Sequence, residues 1–259
     1  DGVNKYDGYN FTVYRHQYAN PQSIACDISR CVTVDDSGRV WIGTREGFSL
    51  YNRDQDTFSN YFYKENGYKA TVTCIAPMNK DYLMLGTTSG VLLFDIGKER
   101  ILNDTLPHPL HLLRPTAMVR QSDKIYIGVE KGLYVYSLAN GTLEKLVDMP
   151  KATRIHSVFC QMFTRIWIAT EGEGLYMYDT KSKELKNYRH EDGYSGLNSN
   201  YVRSLAVDQE NRLWVGTYGG LNIYEGGKDR FLSVRNSAIQ EGSCLLYTSP
   251  SPRDRTRSR

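Results

Sequence analysis

A segment reading WIGTREGFSLYN at 41 to 52 recurs four more times: YLMLGTTSGVLLFD (82 to 95), IYIGVEKGLYVYS (125 to 137), IWIATEGEGLYMYD (166 to 179) and LWVGTYGGLNIYE (213 to 225). Gly47, Gly90, Gly132, Gly174 and Gly220 mark the same place in each copy, at steps of 43, 42, 42 and 46 residues. A partial copy, GVNKYD at 2 to 7, opens the chain, with Gly2 standing 45 residues before Gly47. Self-similarity at this period restricts the chain to an architecture built by repeating one supersecondary unit.

Within a copy, Val32 and Val34 alternate with Cys31 and Thr33, and Asp35-Asp36-Ser37-Gly38 breaks the alternation before Val40-Trp41-Ile42 resumes it. This is strand, turn, strand, and a third strand (48 to 51), a polar turn (52 to 56) and a fourth strand (58 to 61) complete the unit. A period of 3.6 is absent, so no amphipathic helix is expected. Four antiparallel strands in 42 to 46 residues are one blade of a β-propeller, and the chain is expected to be all-β, with about five full blades and partial ends.

The innermost strands begin Arg30-Cys31-Val32, Thr73-Cys74-Ile75, Thr116-Ala117-Met118, His156-Ser157-Val158 and Arg203-Ser204-Leu205. The middle residue of each trio is small, as crowding near a hub demands, whereas Trp41, Met84, Tyr126, Trp167 and Trp214 lie farther out where the wedge between blades widens. Gly43, Gly86, Gly128 and Gly216 are expected to relieve crowding at the end of the second strand, with Ala169 in that place in the fourth copy. Gly47, Gly90, Gly132, Gly174 and Gly220 are expected to take positive φ in the next turn.

The pattern D-x-x-G-x-(I/L/V)-W-(I/V)-G-T-x-x-G-(L/F)-x-x-(Y/F), followed almost throughout at 35 to 51 and 208 to 224, resembles the two-component regulator propeller repeat. The copies at 82 to 95 and 125 to 137 lack the Trp, and the latter has Val129 for Thr. The resemblance covers residues 1 to 242. It implies the extracytoplasmic sensor region of a Bacteroides-type hybrid two-component histidine kinase, on the periplasmic side of the inner membrane. It implies as partners an oligosaccharide, the remaining blades and kinase of a longer parent, and a second copy as a dimer. The final 17 residues break the rhythm, and 243 to 259 are expected to be non-native, adaptor-derived tail.

The net charge of +3 is carried by Arg253, Arg255, Arg257 and Arg259 against Asp254, leaving the repeats neutral and without a nucleic-acid footprint. Cys26, Cys31, Cys74, Cys160 and Cys244 show no metal or redox spacing, and no run of 18 apolar residues is present. His108-x-x-His111, between Pro107 and Pro115, reads as a loop with surface histidines, and Ser195 as a loop serine. Gly172 and Gly174 form a turn, since no strand-to-helix phosphate loop surrounds them. No catalytic constellation, metal site or cofactor is expected in this chain; a propeller lyase or glycan-active enzyme is the alternative function.

Binding is expected at the rim, on the loops that enter each first strand and those that join the second strand to the third. These supply Arg30, Thr73, Thr116, His156 and Arg203 nearest the axis, with Arg45, Glu46, Glu130, Lys131, Glu171, Glu173, Asn200, Tyr201 and Tyr218 farther out. Mixed charge with tyrosine suits a hydroxyl-rich, partly anionic ligand such as an oligosaccharide.

Overall fold

The computed structural model describes residues 2–65, 67–102, 106–190 and 196–234. The expected tail at 243 to 259 and Ser195 lie outside the described residues. Among the described residues, five four-stranded antiparallel sheets follow one another along the chain, each pairing its strands in sequence order. The first sheet contains Ser29–Val34, Val40–Thr44, Gly47–Asn52 and Thr57–Tyr61. The second contains Val72–Pro77, Tyr82–Thr87, Val91–Asp95 and Arg100–Leu102. The third contains Ala117–Gln121, Lys124–Val129, Gly132–Ser137 and Leu143–Asp148, and the fourth Ile155–Gln161, Arg165–Thr170, Leu175–Asp179 and Leu185–Tyr188. Val202–Val207, Leu213–Thr217, Gly220–Glu225 and Arg230–Val234 make the fifth. These are propeller blades, and the first strand of each packs against the first strand of the next.

Successive side chains of a strand point to opposite faces, so every blade offers one apolar face backward and one forward. In the first blade Ile42 packs with Ile24 and Phe58 toward the N-terminal strands. Its neighbour Trp41 packs with Phe48 against Val72, Leu83, Leu85 and Phe94 of the second blade. The same division builds apolar layers between the second and third blades, around Met84 and Ile127, and between the third and fourth, around Tyr126 and Ile168. Trp167 and Leu213 anchor the layer between the fourth and fifth. Trp41, Met84 and Trp167 are fully buried, as the widening wedge requires. Each fully buried Leu, Ile or Phe contributes about 2 kcal/mol relative to exposure, so these layers dominate the stability.

The small residue of each inner trio has a fixed partner across the ladder: Cys31 opposite Gly43, Cys74 opposite Gly86, Ala117 opposite Gly128, Ser157 opposite Ala169 and Ser204 opposite Gly216. A Cβ added to Gly43 would meet Cys31 Sγ at 2.5 Å and Val72 of the next blade at 3.0 Å. The two small residues together let the following blade approach the hub.

Gly47, Gly174 and Gly220 take positive φ, and Gly2 does so too, confirming that the chain opens on a copy of the same turn. Gly90 and Gly132 do not. A Cβ there would lie 2.1 Å from His111 O and 2.9 Å from Val147 O, so close backbone approach, not a left-handed turn, selects glycine.

Strands Val3–Tyr6 and Phe11–Tyr14 form a two-stranded sheet whose Val3 and Tyr14 pack on the first blade. Because this sheet is only two strands wide, Val32 and Val34 remain 59% and 56% exposed, whereas Ile75 and Val158, at the Val32 position of later blades, are buried. Two further elements depart from the sequence reading. His108–His111 is one helical turn after Pro107 and not a loop, with the His111 ring 2.8 Å from Leu106 O. A short hairpin, Lys64–Glu65 with Tyr68–Lys69, sits between the first and second blades.

The outer strands of the first and fourth blades are tied to the next blade by tyrosine. Tyr188 donates to Asp229 Oδ1 at 2.6 Å and Tyr61 to Glu99 Oε1 at 2.9 Å, each acceptor lying in the third hairpin of the following blade. Tyr14 meets Asp56 in the same way. Asp56, Glu99 and Asp229 all adopt left-handed φ at the tip of that hairpin, aiming their carboxylates along the seam.

Candidate functional site

The loop between the second and third strands is closed by threonine. Thr44, Thr87, Thr170 and Thr217 each donate Oγ1 to the carbonyl of Gly47, Gly90, Gly174 and Gly220, at 2.6 to 3.0 Å. The next residue then donates its backbone N–H to the segment entering the first strand of the same blade. Arg45 bonds Ile28 O, Thr88 bonds Thr71 O, Glu171 bonds Arg154 O and Tyr218 bonds Tyr201 O. Because this staple repeats, side chains at equivalent positions line up along one rim. In the third blade Val129 cannot close the loop, and Thr153 N–H instead reaches across from the fourth blade to Glu130 O.

On the fourth and fifth blades the rim gathers five of the expected residues. The staple sets Tyr218 beside Tyr201, and their rings stack with centroids 5.6 Å apart and planes at 25°. Both are exposed, 64% and 48%. The Arg203 guanidinium carbon lies 4.5 Å from the Tyr218 ring centroid. Arg203 Nη1 also lies 3.0 Å from Nε2 and 3.3 Å from Nδ1 of His156, whose Nε2 is 3.7 Å from Glu171 Oε2. Burial, then the Arg203 charge, lowers the His156 pKa from its ordinary value, while Glu171 opposes the shift. His156 is therefore neutral at pH 7, and Arg203 is left to present positive charge at the edge of an aromatic shelf.

A groove of 570 Å³ on the second, third and fourth blades is lined by Thr73, Thr87, Thr88, Leu112, Leu113, Arg114, Pro115, Thr116, Val129, Glu130, Lys131 and Arg154. Thr73 is engaged within the wall, donating to Pro115 O at 2.6 Å. Arg154 connects groove and shelf, since its carbonyl holds Glu171 and its charge acts on His156.

The other expected residues stand apart or are structural. Arg30, Arg45 and Glu46 lie on the first blade, where Glu46 pairs with Lys69 at 3.0 Å. Glu173 is held by Arg189 at 2.6 Å and Lys151 at 3.3 Å, and the Arg189 bond keeps its carboxyl below the ordinary value. Asn200 accepts from His190 N and, through its carbonyl, from Gly172 and Gly174. Arg114 and Arg154 were not among the expected residues. Both stand two places before a trio, at the position that Tyr201 fills in the fifth copy, so the repeat register held the signal.

Residues 196–219, spanning the shelf, match the family model described as two component regulator propeller. That match falls on the fifth copy of the repeated module. A 59-residue stretch is 39% identical to Histidine kinase P4 of Formosa agariphila, covering 22% of this chain and 4% of that protein. The propeller also superposes on the extracellular domain of the hybrid two component system BT3049 of B. thetaiotaomicron, at 25% identity and TM-score 0.72, over 95% of this chain and 33% of that one. The corresponding domain of BT4673 from the same organism gives 23% identity and TM-score 0.67, over 85% of this chain and 28% of that one. The propeller chain thus spans a third or less of these relatives. Among its described residues no helix is long and apolar enough to cross a membrane.

Proposed function

We propose that this chain is the ligand-sensing propeller part of a hybrid two-component sensor histidine kinase, placed on the periplasmic side of the inner membrane, and that its rim recognises an oligosaccharide. The observation that carries the reading is the exposed Tyr201–Tyr218 stack with Arg203 against it. Flat apolar rings cover the faces of pyranose sugars, and donors at their edge bind hydroxyl groups and fix orientation. The sensor setting is supported by the repeat family and by the names of the two-component relatives. The chain itself catalyses nothing in this reading: it binds, and binding biases a kinase elsewhere in the parent. Such coupling requires unequal ligand affinity for two receptor states.

Calorimetry of the full chain against a panel of oligosaccharides is the test. Binding that weakens about tenfold in Tyr218→Ala and Tyr201→Ala supports the site, as loss of a stacking partner predicts. Absence of binding to every member of the panel would refute the oligosaccharide reading.

A further inference from the structure

The groove differs from the shelf in charge. Arg114, Lys131 and Arg154 line it with a single acidic residue, Glu130. All three cationic residues are exposed, and among the described residues none of them forms an ion pair, whereas Arg189 and Lys151 nearby are committed to Glu173. An excess of unneutralised cations in a concave site attracts anions, and guanidinium groups bind carboxylate or sulfate oxygens through paired N–H donors. Thr88 and Thr116 also line the groove and add hydroxyls suited to a polyhydroxylated ligand.

We infer that the groove is a subsite selecting an anionic sugar, one bearing a carboxylate or a sulfate ester, while the tyrosine shelf holds an adjoining ring of the same ligand. The inference rests on the oligosaccharide reading above and narrows it. Arg154, which lines the groove and whose carbonyl holds Glu171 beside His156, links the two subsites. Arg203 completes the positive edge because neutral His156 does not compete with it for the anion.

The test uses the full chain and three probes in calorimetry: digalacturonate as carboxylate source, a carrageenan disaccharide as sulfate source, and lactose as neutral control. The expected result is binding of at least one anionic probe about tenfold tighter than lactose, with loss of about tenfold in Arg154→Ala and in Arg114→Ala, the effect of removing one charged hydrogen-bond donor. Affinity for the anionic probe should also fall as sodium chloride is raised. Arg154→Lys, which keeps the charge but not the paired donors, should retain part of the affinity, and unchanged unfolding curves separate binding loss from misfolding. Equal binding of lactose and the anionic probes would overturn this inference and leave the oligosaccharide reading standing. Anionic binding that survives both arginine substitutions but not Tyr218→Ala would overturn the groove assignment. No binding of either anionic probe would overturn this inference, while the oligosaccharide reading is decided separately by the wider panel.

Discussion

Cys74 Sγ lies 2.5 Å from the point a Cβ on Gly86 would occupy, and Pro115 of the next blade lies 3.1 Å from it on the other side. The glycine is therefore clamped between its own blade and its neighbour. Gly86→Ala is expected to destabilise the chain by about 1 to 3 kcal/mol through overpacking. Cys74→Ala in the same chain should recover part of that loss, as the fourth blade accommodates Ser157 opposite Ala169. Urea unfolding of the two single variants and the double variant measures the coupling, and strictly additive losses would contradict the clamp.

Asp35 is the acceptor on which the first blade turns. Its Oδ1 accepts from the backbone N–H groups of Ser37 and Arg39, and its Oδ2 from Arg39 Nε and the buried Trp41 indole. Asp35→Ala strands these donors and is expected to cost about 3 kcal/mol. Asp208 repeats the arrangement with Arg212 and Trp214, but its side chain is 23% exposed where that of Asp35 is fully buried. Water can replace it, so Asp208→Ala should cost less. Fluorescence-monitored urea unfolding ranks the two.

The same carboxylates set the acid limit. Bonds from Trp214 hold the Asp208 pKa below its ordinary value, and bonds from Tyr14 and Tyr51 do so at Asp56. At Asp35 burial pushes the other way but is outweighed by Trp41 and Arg39. A lowered folded pKa means that the unfolded chain takes up protons first as pH falls. Stability should therefore be level above the unfolded carboxylate value of about 4 and decline as pH drops from there through the folded values. Thermal unfolding between pH 7 and the acid limit checks it, and Asp56→Asn should flatten the decline.

For His156 the expected signs are opposite for its two partners. Arg203 lowers its pKa, so Arg203→Ala should raise it toward the ordinary value, while Glu171→Gln should lower it further. The unperturbed side chain titrates near about 6.5, and the folded one should titrate below that. NMR titration of the ring protons in the three chains reads both shifts; movement in the same direction would show that the rim geometry is wrong.

Much of this was legible in the residues. The period of the repeat, the small residue of each inner trio and the glycine at the end of the second strand all follow from strand alternation and a fixed unit length. Gly90 and Gly132 were misread because a glycine chosen for close approach and one chosen for positive φ look the same in sequence. The His108–His111 turn was too short to show a period. The role of Asp35 went unseen because its turn is local, while the indole it holds is six residues away and is brought back only by the hairpin.

The sequence by itself determined the unit: four alternating strands, their turns, and the recurrence that commits each blade to bury both faces against copies of itself. Only the tertiary structure decided which rim residues become a site. Tyr201 and Tyr218 share a blade, but His156 meets Arg203 across 47 positions of chain, and nothing local couples them. They meet because blades converge inward, and that convergence depends on cross-strand pairs such as Ser157 with Ala169 being small enough to let the next blade draw close.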